Sequence, residues 1–207
     1  EELQCKNKIY HIGDSHCLTL AHQSLKLSKH IFTVIPVHTI GAKAYHFSKH
    51  GSNEFKAITK RNLENIPTNS LVFISFGEVD CRIEEGFIKA SQNTQLTLKE
   101  LIEKTVSGFV QWFVNINSEN KHKYKFFNVP APVYNNQYKL INNNQVAKVI
   151  KLFNDTLKKE LMHYSLCLID VYKMTRAHNG FSNNLYHFDN CHLDYRIIPQ
   201  VEDQLKL

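Results

Sequence analysis

Hydrophobic positions in this chain fall into two patterns, short unbroken runs and long stretches that repeat every three or four residues. The runs are Lys8-Ile9-Tyr10-His11-Ile12, Phe32-Thr33-Val34-Ile35-Pro36-Val37, Leu71-Val72-Phe73-Ile74-Ser75-Phe76, Tyr124-Lys125-Phe126-Phe127-Asn128-Val129 and Leu166-Cys167-Leu168-Ile169-Asp170-Val171. Their length and their β-branched and aromatic content predict five strands. The continuous apolar character of 71–76 predicts a strand buried on both faces. Pro36 has no N–H to give to a ladder, which puts the second strand near an edge or at a bulge.

The stretches predict helices. Leu98, Leu101, Ile102, Val106, Phe109, Val110 and Phe113 share one helical stripe, and Thr97 with Glu100 three positions on has the form of a capping box. Val146, Val149, Ile150, Phe153, Leu157 and Leu161 make a second stripe, with a start signal at Asn142-Asn143-Asn144. Leu18, Leu20, Ala21, Leu25 and Leu27 also suit a helix, directly after the first strand. Strands alternating with helices of crossover length predict a three-layer α/β fold, a mostly parallel five-stranded sheet with helices on both faces. No repeat or low-complexity tract divides the chain, so 1–207 reads as a single domain. Trp112, Phe109 and Phe113 read as packing groups, and His11 and His38 as satisfied core or rim histidines.

In such a sheet the reactive groups belong at the carboxyl ends of the strands. Gly13-Asp14-Ser15-His16 follows the first strand, Gly41 the second and Gly77-Glu78-Val79-Asp80 the third, so all three fall on one rim. A serine between a buried strand and a helix is placed for nucleophilic attack, because N–H groups at the helix start can donate to an oxyanion. A plain N-cap role for Ser15 has the same sequence signature. Near the other end of the chain, Asp189-Asn190-Cys191-His192 sets a carboxylate three positions before an imidazole. That spacing lets one loop deliver both a base and its orienting acid to Ser15.

Together these four blocks resemble the ordered motifs of the SGNH/GDSL hydrolase superfamily. The resemblance implies a flavodoxin-like fold that needs no cofactor or metal. It also implies Ser15 as nucleophile, His192 as base and then acid, Asp189 as its partner, and the Ser15 and Gly41 N–H groups as oxyanion donors. One position departs from it. The third block of the superfamily usually carries an Asn whose side chain completes the oxyanion hole, and Val79 stands there instead. Losing one such donor costs about 2.7–4 kcal/mol of transition-state stabilisation. Arg82 is the candidate compensator, or else it pairs with Glu78 to order the loop. Asp14, His16, Glu78 and Asp80 are the remaining candidates for substrate binding or oxyanion support, His16 standing where the commoner motif has Leu.

Composition narrows the function classes. The chain has 25 Lys and Arg against 19 Asp and Glu, a net charge of +6 that favours anionic partners, an acidic glycan among them. The densest basic cluster, Lys121-His122-Lys123-Tyr124-Lys125, lacks the pattern of a nucleic-acid module, and no nucleotide-binding glycine motif occurs. No apolar stretch is long enough to span a membrane. Five cysteines (Cys5, Cys17, Cys81, Cys167 and Cys191), an odd number with no C-x-x-C pair, favour a reducing, cytoplasmic setting. Cys17, Cys81 and Cys191 each lie close to a motif block, so a disulfide from Cys17 to Cys81 or Cys191, or a metal cluster with His16, His187 and His192, stands as a lesser alternative. The first residue is Glu1, which suits a domain of a longer protein. The resulting expectation is an ester hydrolase or O-acyltransferase acting on small acyl, above all acetyl, esters of carbohydrate. A non-catalytic glycan-binding or interaction domain of the same fold is the alternative.

Overall fold

The computed structural model describes residues 7–206. Six strands form one sheet: β1 (Asn7–Gly13), β2 (Ser24–Leu27), β3 (His30–His38), β4 (Leu71–Ser75), β5 (Lys123–Phe127) and β6 (Cys167–Ile169), in spatial order β2-β3-β1-β4-β5-β6. Every pair is parallel except β2 with β3. Counting the parallel strands alone in chain order gives 2-1-3-4-5, the flavodoxin-like arrangement, whose switch point lies between the first and third. Here that point is the carboxyl end of β1 beside β4, where Gly13 pairs with Ser75 and Asp14 begins the next turn.

The sixth strand corrects the expected five, and it replaces the helix expected across Leu18–Leu27. A 3₁₀ turn covers only Ser15–Leu18, and the chain then reverses through His22 at φ 59° into β2. Leu25 and Leu27 are two positions apart, which also fits strand spacing, and β3 is there to pair with them through the hairpin at Ser28 (φ 54°) and Lys29. Pairing with a neighbouring strand decided between two readings that the apolar spacing alone allowed. Pro36 lies beyond the last β3 residue that β2 reaches, so β3 is locally an edge there, as its missing N–H requires.

The helices are α1 (Ala44–Ser48), α2 (Glu54–Glu64), α3 (Glu78–Cys81), α4 (Phe87–Ser91), α5 (Leu98–Ile116), α6 (Leu140–His163), α7 (Val171–Thr175) and α8 (Ile198–Leu205). Alternation along the strands divides the core. Ile12, Val72, Ile74 and Phe126 face Phe47 of α1, Phe109 and Phe113 of α5 and Phe153 of α6. Ile9, Val34, Phe73 and Phe127 face Ile197, Val201 and Leu193 on the other side. Each of these aromatic and aliphatic side chains contributes roughly 1.5–3 kcal/mol by leaving water.

Helix α5 begins as its sequence demands: Thr97 Oγ1 accepts from the N–H of Glu100, and Glu100 Oε2 accepts from the N–H of Thr97 at 2.7 Å. Thr97→Ala is expected to cost about 1 kcal/mol, read as a lower urea midpoint with an unchanged slope. Helix α6 begins earlier than the asparagine run suggests. Its N-cap is Lys139, and Asn143 lies inside the helix, buried, exchanging hydrogen bonds with the backbone of Asn135. Among the described residues no helix is long and apolar enough to cross a membrane.

Candidate active site

The turn that carries Ser15 exists because Gly13 lets two strands approach. A Cβ there would lie 2.4 Å from the Ser75 carbonyl oxygen and 2.2 Å from its Oγ, so any larger residue would push β1 off β4 where the turn starts. The Asp14 N–H donates to that carbonyl at 3.2 Å. Asp14 then caps the 3₁₀ turn, its Oδ1 accepting from the N–H of His16 at 2.9 Å. Ser15 therefore sits on the first residue of the turn rather than at its cap, and the N-cap alternative passes to Asp14.

The partner loop is a small closed hairpin. Tyr186 accepts from the Asp194 N–H, His187 bridges Leu193, and the Phe188 N–H donates to His192, leaving Asp189-Asn190-Cys191 as the tip. Asp189 Oδ1 accepts from the N–H groups of Cys191 (2.8 Å) and His192 (2.6 Å), which fixes the tip as an Asx turn. Asp189 Oδ2 meets His192 Nδ1 at 2.6 Å, and His192 Nε2 meets Ser15 Oγ at 2.9 Å. The two blocks, 177 positions apart in sequence, thus form a continuous Ser15-His192-Asp189 relay. Partial burial opposes the Asp189 charge, but the two N–H donors and His192 outweigh it and hold its carboxyl down at about 2. Phe188, 65% exposed, stacks on His192 with ring centroids 5.8 Å apart. Only its place beside the acid–imidazole pair could have marked it in the sequence.

His16, a candidate for pocket lining or for solvent, does neither. It is buried, its Nδ1 bonded to Asp14 Oδ1 at 3.0 Å and its Nε2 to the carbonyl of Cys191 at 3.1 Å. It bolts the nucleophile turn to the histidine loop, with its ring 5.1 Å from that of His192. Burial opposes its charge, yet Asp14, Glu78 and the Cys191 carbonyl raise its pKa to about 9. Asp14 and His16 thus form a buried ion pair within the Ser15 turn, and His16 carries the link from it to the Cys191 carbonyl.

The third block also serves architecture. Asp80, buried, accepts from the N–H groups of Ala44 (2.7 Å) and Tyr45 (3.1 Å), so it ties α3 to the start of α1 just after Gly41. Burial lifts its carboxyl to about 7 against those two donors. Its side chain is spent on the scaffold rather than offered to a substrate. Val79 is buried and presents no donor. Arg82 forks onto Glu78, with Nε and Nη2 at 3.0 and 2.8 Å from Oε2, and reaches Glu85 at 3.4 Å. The pairing alternative is the one formed, and the Arg82 charge is balanced by two carboxylates. Among the described residues no acceptor takes the N–H of Ser15 or of Gly41, which lies at φ 71°.

Beside the relay lies a cleft of about 390 Å³ whose walls include Val129, Pro130, Val146 and Ile150, with Glu78, Asn190 and Cys191 on the side toward the relay. Neither Ser15 nor His192 lines it.

Among the described residues the cysteines do not pair. Cys17, Cys81, Cys167 and Cys191 are free thiols, and Cys5 lies outside the described residues. Asp189, Cys191 and His192 offer donor atoms within 4.8 Å of one another, the one such trio among the described residues. Its carboxylate and imidazole are already bonded to each other, and burial with nearby Glu78 and Asp189 pushes the Cys191 thiol up to about 12, away from the thiolate a metal binds. The wider cluster of Cys17, Cys81, His16 and His187 does not assemble. Burial likewise lifts Cys17 to about 12.

His11 corrects a reading of the sequence, because it is buried but not satisfied: neither ring nitrogen has a partner between Phe73 and Phe127. Burial drives its pKa to about 3. Against an unfolded value of about 6.5, a lowered histidine takes up protons only on unfolding, so stability falls as pH drops from about 6.5 toward 3. His16 acts with the opposite sign. Its stabilisation is complete below about 6.5 and is lost as pH rises through about 9, up to roughly 3 kcal/mol. Thermal unfolding should therefore show a falling Tm between pH 7 and about 10, and His16→Gln should lower Tm at pH 7 while flattening that alkaline limb. A limb of unchanged slope in the variant would locate the alkaline loss elsewhere.

The comparisons with known proteins follow this geometry. The sequence matches no family model and no curated protein. Solved structures do match. A GDSL-like lipase from Bacteroides thetaiotaomicron superposes with TM-score 0.60 at 13% identity, over 97% of this chain and 86% of its own. A lipase/acylhydrolase from Enterococcus faecalis gives 0.56 at 16%, over 97% and 93%, and an acetyl xylan esterase gives 0.56 at 16%, over 96% and 97%. Matches of nearly full length on both sides, with sequences this far apart, establish a common architecture: the chain has the SGNH/GDSL hydrolase fold.

Proposed function

We propose that this protein is a serine esterase of the SGNH/GDSL type, working through Ser15, His192 and Asp189. The observation that carries the reading is the Ser15 Oγ to His192 Nε2 contact at 2.9 Å, continued to Asp189 at 2.6 Å. A binding domain that merely kept the fold would have no need of this alignment, and its serine would be free to face elsewhere.

Ser15 Oγ attacks the ester carbonyl while its proton passes to His192 Nε2, and Asp189 steadies the imidazolium that forms. Collapse of the tetrahedral intermediate breaks the bond to the leaving alcohol, which takes the proton from Nε2. Water, or a sugar hydroxyl in the transferase variant, then gives its proton to His192 and attacks the acyl-Ser15 carbonyl. Collapse of this second intermediate breaks the bond to Ser15 Oγ, which takes the proton back from Nε2 and releases the acid or the new ester. The N–H groups of Ser15 and Gly41 hold the oxyanion. With Val79 in the third position and Arg82 paired, the hole has two donors of the main chain and no side-chain donor. A slower chemical step than in a three-donor site follows, by about 10²–10³-fold.

The substrate class we favour is a small acyl ester, acetyl above all, on carbohydrate. One structural neighbour is an acetyl xylan esterase, and the apolar walls of the cleft beside the relay suit a sugar ring or a short acyl chain. Free thiols at Cys17, Cys81, Cys167 and Cys191 support a reducing, cytoplasmic setting. The test is labelling by a fluorophosphonate probe, with peptide mapping of the adduct, followed by acetate release from acetylated xylan and pectin. An adduct on Ser15 with acetate release supports both levels of the reading. Absence of any adduct on Ser15 would remove the enzyme reading and leave the glycan-binding alternative.

A further inference from the structure

A second cleft, of about 650 Å³, opens on the other side of the 82–86 loop, between α1, α4 and the first half of α5. Lys43, Lys49 and Lys104 all line it; Lys43 donates its ammonium to the Glu85 carbonyl at 2.6 Å, and neither Lys49 nor Lys104 meets a carboxylate within ion-pair distance among the described residues. Of the acidic groups at the cleft, Asp80 holds the N–H groups of Ala44 and Tyr45, and Glu85, at the border, shares Arg82 with Glu78. Glu103, next to Lys104, pairs with Lys99. The lining is thus left with two ammonium groups, those of Lys49 and Lys104, that have no carboxylate partner in a concave wall, where charge of one sign is focused rather than dispersed.

The neighbouring groups are those of a sugar site. Tyr45 is 44% exposed, with the Lys49 ammonium over one face of its ring, 4.9 Å from the centre, so an aromatic ring and a cation are held together at the cleft wall. Asn93 and Thr94 bring amide and hydroxyl groups to the opposite wall. His46 Nδ1 accepts from the Lys43 N–H at 3.0 Å, which places the ring proton on Nε2 as a further donor. Burial and the charges of Lys43 and Lys49 together lower its pKa, consistent with a positive field in the cleft.

We infer that this second cleft is a subsite for a carboxylated sugar, with Lys49 and Lys104 holding the carboxylate and Tyr45 packing against the ring. Its position fits a substrate that runs past the relay, since Glu85 borders both clefts and Lys43 follows the Gly41 turn. In that role it rests on the esterase reading and narrows the glycan to an acidic one.

The test separates the two. Binding of digalacturonate to the Ser15→Ala protein is measured by titration calorimetry beside its dimethyl ester, a probe of nearly the same shape without charge. The acid should bind at least about tenfold more tightly than the ester, and should weaken as salt rises from about 20 to about 200 mM. Lys49→Gln with Lys104→Gln, both exposed positions, should cost about tenfold or more in affinity while thermal unfolding stays as in the parent. Equal binding of acid and ester, or a double variant that binds like the parent, would overturn the subsite. Inorganic phosphate binding as tightly as digalacturonate would overturn its assignment to a sugar. Fluorophosphonate labelling decides the esterase reading separately, because binding here needs no competent serine.

Discussion

Ser15→Ala is expected to lower turnover of p-nitrophenyl acetate by about 10⁴-fold or more, equivalent to about 5.5 kcal/mol of transition-state stabilisation, and to abolish fluorophosphonate labelling. Alanine removes the attacking oxygen and leaves the loops in place, because the Asp14, His16 and Cys191 bonds that join them do not pass through Ser15. His192→Ala should fall to the same floor, and the double variant no lower, since the residues of a relay act as a unit. Asp189→Asn should cost less than either. Its side chain is 42% exposed, so solvent screens part of what the carboxylate does, yet the variant loses the acceptor that selects the His192 tautomer. Steady-state kinetics on the four proteins, with circular dichroism as a fold control, reads the series. Residual activity in Ser15→Ala equal to that of the parent would place the hydrolysis elsewhere on the protein.

A large effect on stability is expected at Gly77, for two separate reasons. Its backbone lies at φ 128°, ψ −16°, a conformation open to glycine and strained for any L side chain. In addition, a Cβ would stand 2.4 Å from Cζ and 2.6 Å from Cε1 of Phe153, a ring wholly buried between the sheet and α6. Strain and overpacking together should cost Gly77→Ala about 3 kcal/mol or more, a Tm lower by about 6–12 °C for a chain of this size. Gly51→Ala is the control. Gly51 shares the positive φ, at 75°, but nothing lies within 4 Å of its Cβ position, so only the backbone penalty of about 1 kcal/mol should appear. A pair of variants with equal losses would mean that the Phe153 ring yields freely. Gly77 also launches Glu78 and so the Arg82 fork, and activity should fall along with stability.

How much of this was legible in the sequence differs from element to element. The Thr97/Glu100 box was, because capping is decided within one turn of chain by groups that meet whatever the tertiary context. The strands at 71–75 and 123–127 were, because a run buried on both faces has few alternatives. The segment 18–27 was not. Leu18, Leu20, Ala21, Leu25 and Leu27 satisfy helical spacing, and the hairpin that overrides it turns at Ser28 and Lys29 with no Gly or Asn to announce it.

The site divides in the same way. Asp189 and His192 were readable as a pair because three residues of an Asx turn bring them together locally. The roles of His16 and Asp80 were not, because their partners, Cys191 and the start of α1, are 175 and 36 positions away. His11 gave no signal of being unsatisfied, since that depends on Phe73 and Phe127 arriving from two other strands.

By itself, then, the sequence determined the layered α/β class and the rim on which the motif blocks lie, and it singled out the serine, the histidine and the acid that the esterase proposal uses. Those follow from apolar periodicity and from chemistry that short spacing enforces. Only the tertiary structure decided that Ser15 meets His192, that Arg82 answers Glu78, and that Lys49 and Lys104, without carboxylate partners, share one cleft. Each of these is a contact or a charge balance among residues distant in the chain, and such contacts are fixed by strand order and packing rather than by any local preference.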